Sequence, residues 1–238
     1  MGYYTLVQRG LERFLRAGRN LTAQRVLMLH QVTDQKNNWY DPDYAISAAG
    51  FKDMLLIAES EGYSFGRIDD IFSADQTSDK KLYVTFDDGF EGVYNEAVPI
   101  LNEFAVPYCV FLTTGFIGRD GYITKDMLIS MASDERCTIG AHTVNHPNLR
   151  SCRDADFEIA ECRRNLQDWT EKEISYFAYP FGAVNACSLK NIYQVKRNGY
   201  KAAFSTLSAP VTAAGCMRYF IPRININESN YRELGEVR

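Results

Sequence analysis

Leu82-Tyr83-Val84-Thr85-Phe86-Asp87-Asp88-Gly89 joins a run of β-favouring residues to two adjacent carboxylates and a glycine. The run reads as a buried strand that stops where the acids begin. The same arrangement recurs around it. Arg25 to Leu29 is a short apolar run ending at His30, and Thr138 to Ala141 runs into His142. Tyr63 to Ile68, Val106 to Leu112, Ile174 to Tyr179, Tyr200 to Ser205 and Phe220 to Ile226 are further strand candidates. Pro222 places the last of these at an edge or irregular position. Helical spacing marks Phe51, Met54, Leu55 and Ala58 ahead of Gly62, a stretch from Gly89 to about Phe104, Ala155 to Trp169, and Leu189 to Arg197 ahead of Gly199. Strands and helices therefore alternate along the chain, which predicts an α/β fold with a parallel sheet. No linker, composition break or short internal repeat divides it. A complete barrel of βα units takes about 250 residues. The 238 residues here predict a single distorted, incomplete (β/α) barrel of about seven strands over residues 25–238, after an N-terminal extension over 1–24.

Composition narrows the function. There are 26 Lys and Arg against 30 Asp and Glu, a net charge of −4, which argues against a duplex-binding protein. No apolar run approaches the ~18 residues of a membrane-spanning helix. The 6 cysteines form no Cys-x-x-Cys pair and read as scattered reduced thiols. Tyr4, Val7, Leu11, Phe14 and Leu15 recur at helical spacing, with Arg9, Glu12, Arg13, Arg16 and Arg19 between them. They predict an amphipathic helix packed on the domain, or one lying on a membrane surface through its Arg-rich face. The same charges interrupt the apolar stretch a secretory signal requires. The expected location is the cytoplasm, with membrane association through this helix.

The chemistry-bearing residues sit just after strands. In a parallel α/β architecture the strand C-terminal ends share one face, where sites are built. Asp87, Asp88, His142 and His30 would meet there. His142 and His146 are four residues apart, one helical turn, so both imidazoles would reach a single ion. Alone, the pair is a weak signal and reads rather as two surface or N-cap histidines before Pro147. Adjacent Asp residues at a strand end cannot point the same way. One would bind a cation while the other stays free as a base. Two His, one Asp and an open position make the ligand pattern of a catalytic zinc. His30, the only other histidine, is then the candidate acid for the leaving group. A lone histidine is otherwise a core residue.

Thr85-Phe86-Asp87-Asp88-Gly89 and His142-Thr143-Val144-Asn145-His146 together resemble two motifs of the polysaccharide deacetylases, carbohydrate esterase family 4. The resemblance implies Asp88, His142 and His146 as ligands of a divalent metal, Zn2+ first, with Co2+ or Ni2+ as alternatives. It also implies Asp87 as the base. Phe177-Ala178-Tyr179-Pro180-Phe181-Gly182 keeps the Pro-aromatic-Gly of a further motif but lacks its Arg. That Arg normally orients the base, and Arg223 in Pro222-Arg223-Ile224 is the substitute. The family's Leu-x-His strand has no counterpart near the C-terminus. Val26-Leu27-Met28-Leu29-His30 looks like that strand moved to the front, as in the circularly permuted branch that includes poly-N-acetylglucosamine deacetylases. The resemblance also implies the Phe181 backbone N–H as an oxyanion donor. Pro180, Phe181, Tyr179 and Trp39 are expected at the sugar, with Tyr40 and Tyr44 in the same aromatic loop as Trp39. The expected reaction is metal-dependent removal of an N-acetyl group from an acetamido sugar or glycan, in surface polysaccharide assembly. A nucleotide- or lipid-linked sugar is the expected carrier. A deformylase or other amide hydrolase, and a non-catalytic glycan-binding relative, are the alternatives.

Overall fold

In the computed structural model the backbone curls one parallel sheet around a small inner core. The structure describes residues 24–36, 40–72, 80–209, 211 and 218–235. The N-terminal amphipathic helix and Trp39 lie outside these residues. In chain order the strands are β1 (Arg25–Leu29), β2 (Gln31–Val32), β3 (Ala45–Ile46), β4 (Ser64–Phe65), β5 (Lys81–Asp88), β6 (Tyr108–Leu112), β7 (Cys137–Ala141), β8 (Tyr176–Ala178), β9 (Ala202–Phe204) and β10 (Ile224–Asn225). The helices are α1 (Ala48–Ser60), α2 (Val98–Glu103), α3 (Lys125–Ser133), α4 (Ala155–Thr170) and α5 (Leu189–Arg197). The main sheet runs β10-β1-β5-β6-β7-β8-β9 with every neighbour parallel. β4 adds to the start of β5, and β2 and β3 form a separate short ladder.

The two sheet edges meet through one segment. The Ile221 N–H donates to the Ala203 carbonyl at 2.9 Å, and the Ser205 N–H to the Ile221 carbonyl at 2.7 Å. On its other side the segment pairs Leu27 with Ile224 and donates from the Ile226 N–H to the Met28 carbonyl at 2.9 Å. Pro222 lies where the segment passes from β9 to β1, and its missing N–H is tolerated there.

Strand alternation builds two cores. Val26, Tyr83, Cys109, Phe111, Tyr176, Phe204 and Ile221 pack inside the curl. Leu27, Leu29, Leu82, Val84, Phe86, Val110, Leu112 and Phe177 face outward against the helices. The inward row of β5 is Tyr83, Thr85 and Asp87, so Asp87 stands at the mouth of the inner core.

β1 and α5 match their expected spans. The expected strand over Tyr63 to Ile68 is only two residues long before a 3-10 helix at Ile68–Phe72. The stretch after Gly89 becomes a π-helical turn at Val93–Ala97 leading into α2. α3 was not expected. It starts at Thr124, whose Oγ1 accepts from the Met127 N–H at 3.2 Å, and it buries Leu128, Met131 and Ala132. The five described cysteines are free thiols. Among the described residues no helix is long and apolar enough to cross a membrane.

Candidate active site

Asp87 and Arg223 form a buried ion pair at the C-terminal mouth of the barrel, with side chains 2% and 0% exposed. Nη1 donates to Oδ1 at 2.7 Å and Nη2 to Oδ2 at 2.6 Å, the two-pronged geometry that fixes a carboxylate in orientation as well as charge. Two further guanidinium donors are also used. Nε donates to the Ser205 carbonyl at 3.0 Å, and Nη1 also reaches the Thr85 hydroxyl at 3.2 Å. That hydroxyl donates onward to the Leu27 carbonyl at 2.7 Å. The guanidinium lies 5.4 Å from the centre of the Phe111 ring. Gly140 makes room for that ring, which any side chain there would strike. Burial pushes the Asp87 carboxyl up, but the Arg223 charge, His142 and the Arg223 hydrogen bonds outweigh it and hold Asp87 well below the usual carboxylate range.

Asp88 turns the other way because its backbone is left-handed, with φ of 72°. Its Oδ1 lies 3.3 Å from His146 Nε2 and 3.5 Å from His142 Nε2. The histidines do not share a helical turn, as their spacing implied. Residues 142–148 are loop, with Thr143 at φ 71° and His146 at φ 56°. Left-handed non-glycine backbone is costly and persists only where surroundings enforce it. Here Glu158, in the first turn of α4, does so. Its Oε2 accepts from the Val144 and Asn145 N–H groups at 2.9 and 2.8 Å, and its Oε1 from the Asn145 amide at 2.8 Å. The His146 N–H donates to Thr143 Oγ1 at 3.0 Å.

These three residues fit a metal ion. Nε2 of both histidines and a carboxylate oxygen of Asp88 lie within 4.8 Å of one another. The His142 Nδ1 lies 2.8 Å from the Ala178 carbonyl, which assigns the proton to Nδ1 and leaves Nε2 as a bare lone pair. Asp88 Oδ1 is buried with no hydrogen-bond partner, an arrangement that costs free energy unless a cation takes it up. Burial, then the Asp87 charge, push Asp88 up to about 7, while Arg223 pulls the other way. Burial lowers His142 to about 3, so both of its ring nitrogens are not protonated together at neutral pH.

The cleft around this cluster has a volume of about 460 Å³ and includes His30, Asp41, Tyr44, Phe90 and Phe181 in its wall. His30 packs against Tyr44 with ring centres 4.6 Å apart, and its Nδ1 is buried without a partner. Burial lowers His30 to about 4, with the Asp87 charge opposing and Arg223 and His146 reinforcing. Phe181 is exposed at the rim, left-handed at φ 59°, its ring edge-on to His146 at 4.8 Å. Pro180 is buried in the turn before it. Tyr179, expected at the sugar, borders the cleft but presents little surface to it. It is 0% exposed, packs on Phe177 and Phe220, and donates its hydroxyl to the Tyr219 carbonyl at 3.0 Å. Glu158 is a site residue that the sequence reading misses. Its signal is a carboxylate on the apolar stripe of Ala155, Ile159, Cys162 and Leu166, where a charge needs a buried partner.

A carboxylate held by arginine beside a two-histidine, one-aspartate cluster, at the strand ends of a parallel barrel, is an arrangement suited to metal-dependent hydrolysis. The polysaccharide deacetylase family model matches residues 74–203, and the chain belongs to that family. It is 24% identical over 210 residues to the poly-beta-1,6-N-acetyl-D-glucosamine N-deacetylase of Staphylococcus aureus, covering 81% of this chain and 71% of that one. It is 25% identical over 131 residues to Bacillus subtilis YxkH, spanning about half of each protein, 54% of this chain and 46% of that one. Among solved structures, the Ammonifex degensii IcaB superposes with a TM-score of 0.77 at 22% identity, over 90% of this chain and 96% of that one. The Streptococcus pyogenes deacetylase PplD in complex with acetate gives 0.77 at 22%, over 89% and 96%. These two share the curled parallel fold.

Proposed function

We propose that this protein is a metal-dependent hydrolase that removes the N-acetyl group from an acetamido sugar of a surface glycan. The observation that carries this reading is the partnerless Asp88 Oδ1, facing two imidazole Nε2 atoms beside the Arg223-clamped Asp87. Asp88, His142 and His146 would hold the divalent cation, Zn2+ by its preference for such ligands. When bound it supplies Lewis acidity at the acetyl carbonyl and lowers the pKa of water.

The protein's own groups do the rest. Asp87, kept ionised by Arg223, removes a proton from the attacking water. The Phe181 backbone N–H donates to the carbonyl oxygen as negative charge develops there. The nitrogen of the leaving amine then needs one proton. His30 is lowered to about 4 and is neutral at pH 7, so it does not stand ready as a charged acid. This favours a second reading of the proton path, in which the proton taken up by Asp87 is the one delivered, through His30 or directly. Phe181, exposed at the rim, offers its ring face to the sugar. The chain order reads as a circular permutation of the usual family order, supported by a family match that begins at residue 74, beyond His30.

The test is elemental analysis of the purified protein, with release of acetate and formate assayed on N-acetylglucosamine and its oligomers with Zn2+ or Co2+. One bound metal and acetate as the product are expected. Formate as the only acid released, or sugar binding with metal bound and no acid released, overturns the reading.

A further inference from the structure

The two histidines of the cluster are held in different ways. The His142 side chain is 2% exposed, and its Nδ1 is anchored on the Ala178 carbonyl of β8. A hydrogen bond of this kind fixes the tautomer and the ring plane of a metal-binding imidazole. The His146 side chain is 22% exposed. Its Nε2 faces Asp88, and apart from its own main chain no hydrogen bond among the described residues ties its Nδ1 down.

Aromatic packing orients the His146 ring instead. Phe181 meets it edge-on from the cleft, with ring centres 4.8 Å apart, and Phe116 lies 6.2 Å away with planes 33° from parallel. Phe116 ends a row of rings. It lies 4.8 Å from Tyr122, which stacks on Phe90 at 4.8 Å with planes 21° from parallel. Phe90 follows Asp88 by two residues, so the row runs from the neighbourhood of one candidate ligand to another. The backbone fixes both of its ends. Phe90 and Tyr122 form an antiparallel bridge, and the Glu91 N–H donates to the Gly121 carbonyl at 3.0 Å. At the far end the Thr114 and Gly115 N–H groups donate to the Thr143 and Val144 carbonyls at 3.1 and 2.8 Å. A Cβ at Gly115 would strike the Val144 carbonyl oxygen, so glycine lets the turn that carries Phe116 close onto the histidine loop.

The two kinds of support restrain a ring unequally. His142 must break a buried, directional hydrogen bond to turn, whereas His146 turns when its aromatic neighbours give way. His146 is also the histidine nearer to solvent. When it turns aside, His142 and Asp88 stay in place and the cluster opens on that side.

We propose that His146 is the exchangeable ligand of the site, the side on which a divalent cation enters and leaves, and that Phe116 is the positioning residue that sets how readily its ring turns aside. This rests on the metal-dependent reading and adds to it the residues that govern retention of the ion.

Dissociation of Co2+ or Zn2+ from the loaded protein into excess chelator tests it, with no substrate present. Phe116→Leu is expected to speed dissociation about tenfold, the lower end of what loss of a ligand's support costs. Phe116→Tyr keeps the ring and should stay within about twofold of the wild type. In a His146→Ala background, Phe116→Leu should change metal affinity no further, because the ring it restrains is gone. An unchanged rate in Phe116→Leu, an equal acceleration in Phe116→Tyr, or additive losses with His146→Ala overturns the proposal and leaves the metal-dependent reading standing. A wild-type protein that binds neither ion overturns that reading and the proposal together.

Discussion

The barrel has a charged hollow at each end, and the larger one is not where the candidate catalytic groups meet. At the N-terminal end of the strands a hollow of about 570 Å³ is lined by Arg67, Asp69, Asp134, Glu173, Lys201 and their neighbours. Its charges pair locally. Arg67 meets Asp69 at 3.6 Å, Lys201 meets Glu173 at 3.4 Å, and Asp69 also accepts from the Tyr176 hydroxyl at 2.7 Å. Most of these side chains are wet, so the pairs are worth little. At the opposite end the charges are buried, one carboxylate oxygen has no partner, and four residues hold left-handed backbone: Asp88, Thr143, His146 and Phe181. The number of ionisable groups does not distinguish the two ends. Burial without full pairing, held on strained backbone, does.

The comparison breaks if substitutions at the two ends have similar effects. The largest effect is expected for Asp87→Asn, which should keep bound metal and lower turnover at least about a thousandfold, the scale of a lost general base. Metal lost in that variant and kept in Asp88→Asn would exchange the roles of the pair. Arg223→Ala should follow, with turnover down about a hundredfold from a misaimed base and metal content intact. It strands a buried carboxylate at a cost of about 3–5 kcal/mol, so Arg223→Lys is measured beside it, together with thermal melting. Glu158→Gln should weaken metal affinity about 10- to 100-fold, read by competition with a chelator, because it loosens the loop that carries His146. The pH dependence of that affinity sharpens the contrast further. Asp88 is raised to about 7 in the metal-free protein, so below pH 7 the metal must displace its proton. Apparent affinity should fall about tenfold per pH unit there, and the slope should flatten in Asp88→Asn. The smallest effect belongs to the other end. Lys201→Ala should leave turnover unchanged and melting within about 2 °C.

How much of this was legible in the sequence differs from element to element. Arg25–Leu29 and Leu189–Arg197 are readable to the residue because their limits are local: an apolar run stopped by His30, and an amphipathic helix bounded by Ser188 and Gly199. Tyr200 to Ser205 shrinks to three paired residues because its partners on β8 and on the closing segment decide where the ladder ends. The catalytic groups are visible because they follow strands, and strand ends share a face. Their support is not. The spacing of His142 and His146 fits a helical turn equally well, and only Glu158, from an element further along the chain, makes it a loop. Tyr179 looks like a sugar platform next to Pro180 and Phe181, yet strand alternation turns it into the core. The close approach of Gly92 to Val32 across the fold is announced by no single stretch of sequence.

The segment that joins β9 to β1 also carries Arg223. One short stretch near the end of the chain thus closes the wall and sets the base. During synthesis Asp87, Asp88, His142 and His146 emerge well before this stretch does. Until it arrives, β1 lacks one neighbour and Asp87 lacks its counter-charge. The nascent chain can therefore present Asp88, His142 and His146 early, while Asp87 is not yet fixed in orientation. The segment that seals the barrel is thus the same one that brings Arg223 to Asp87.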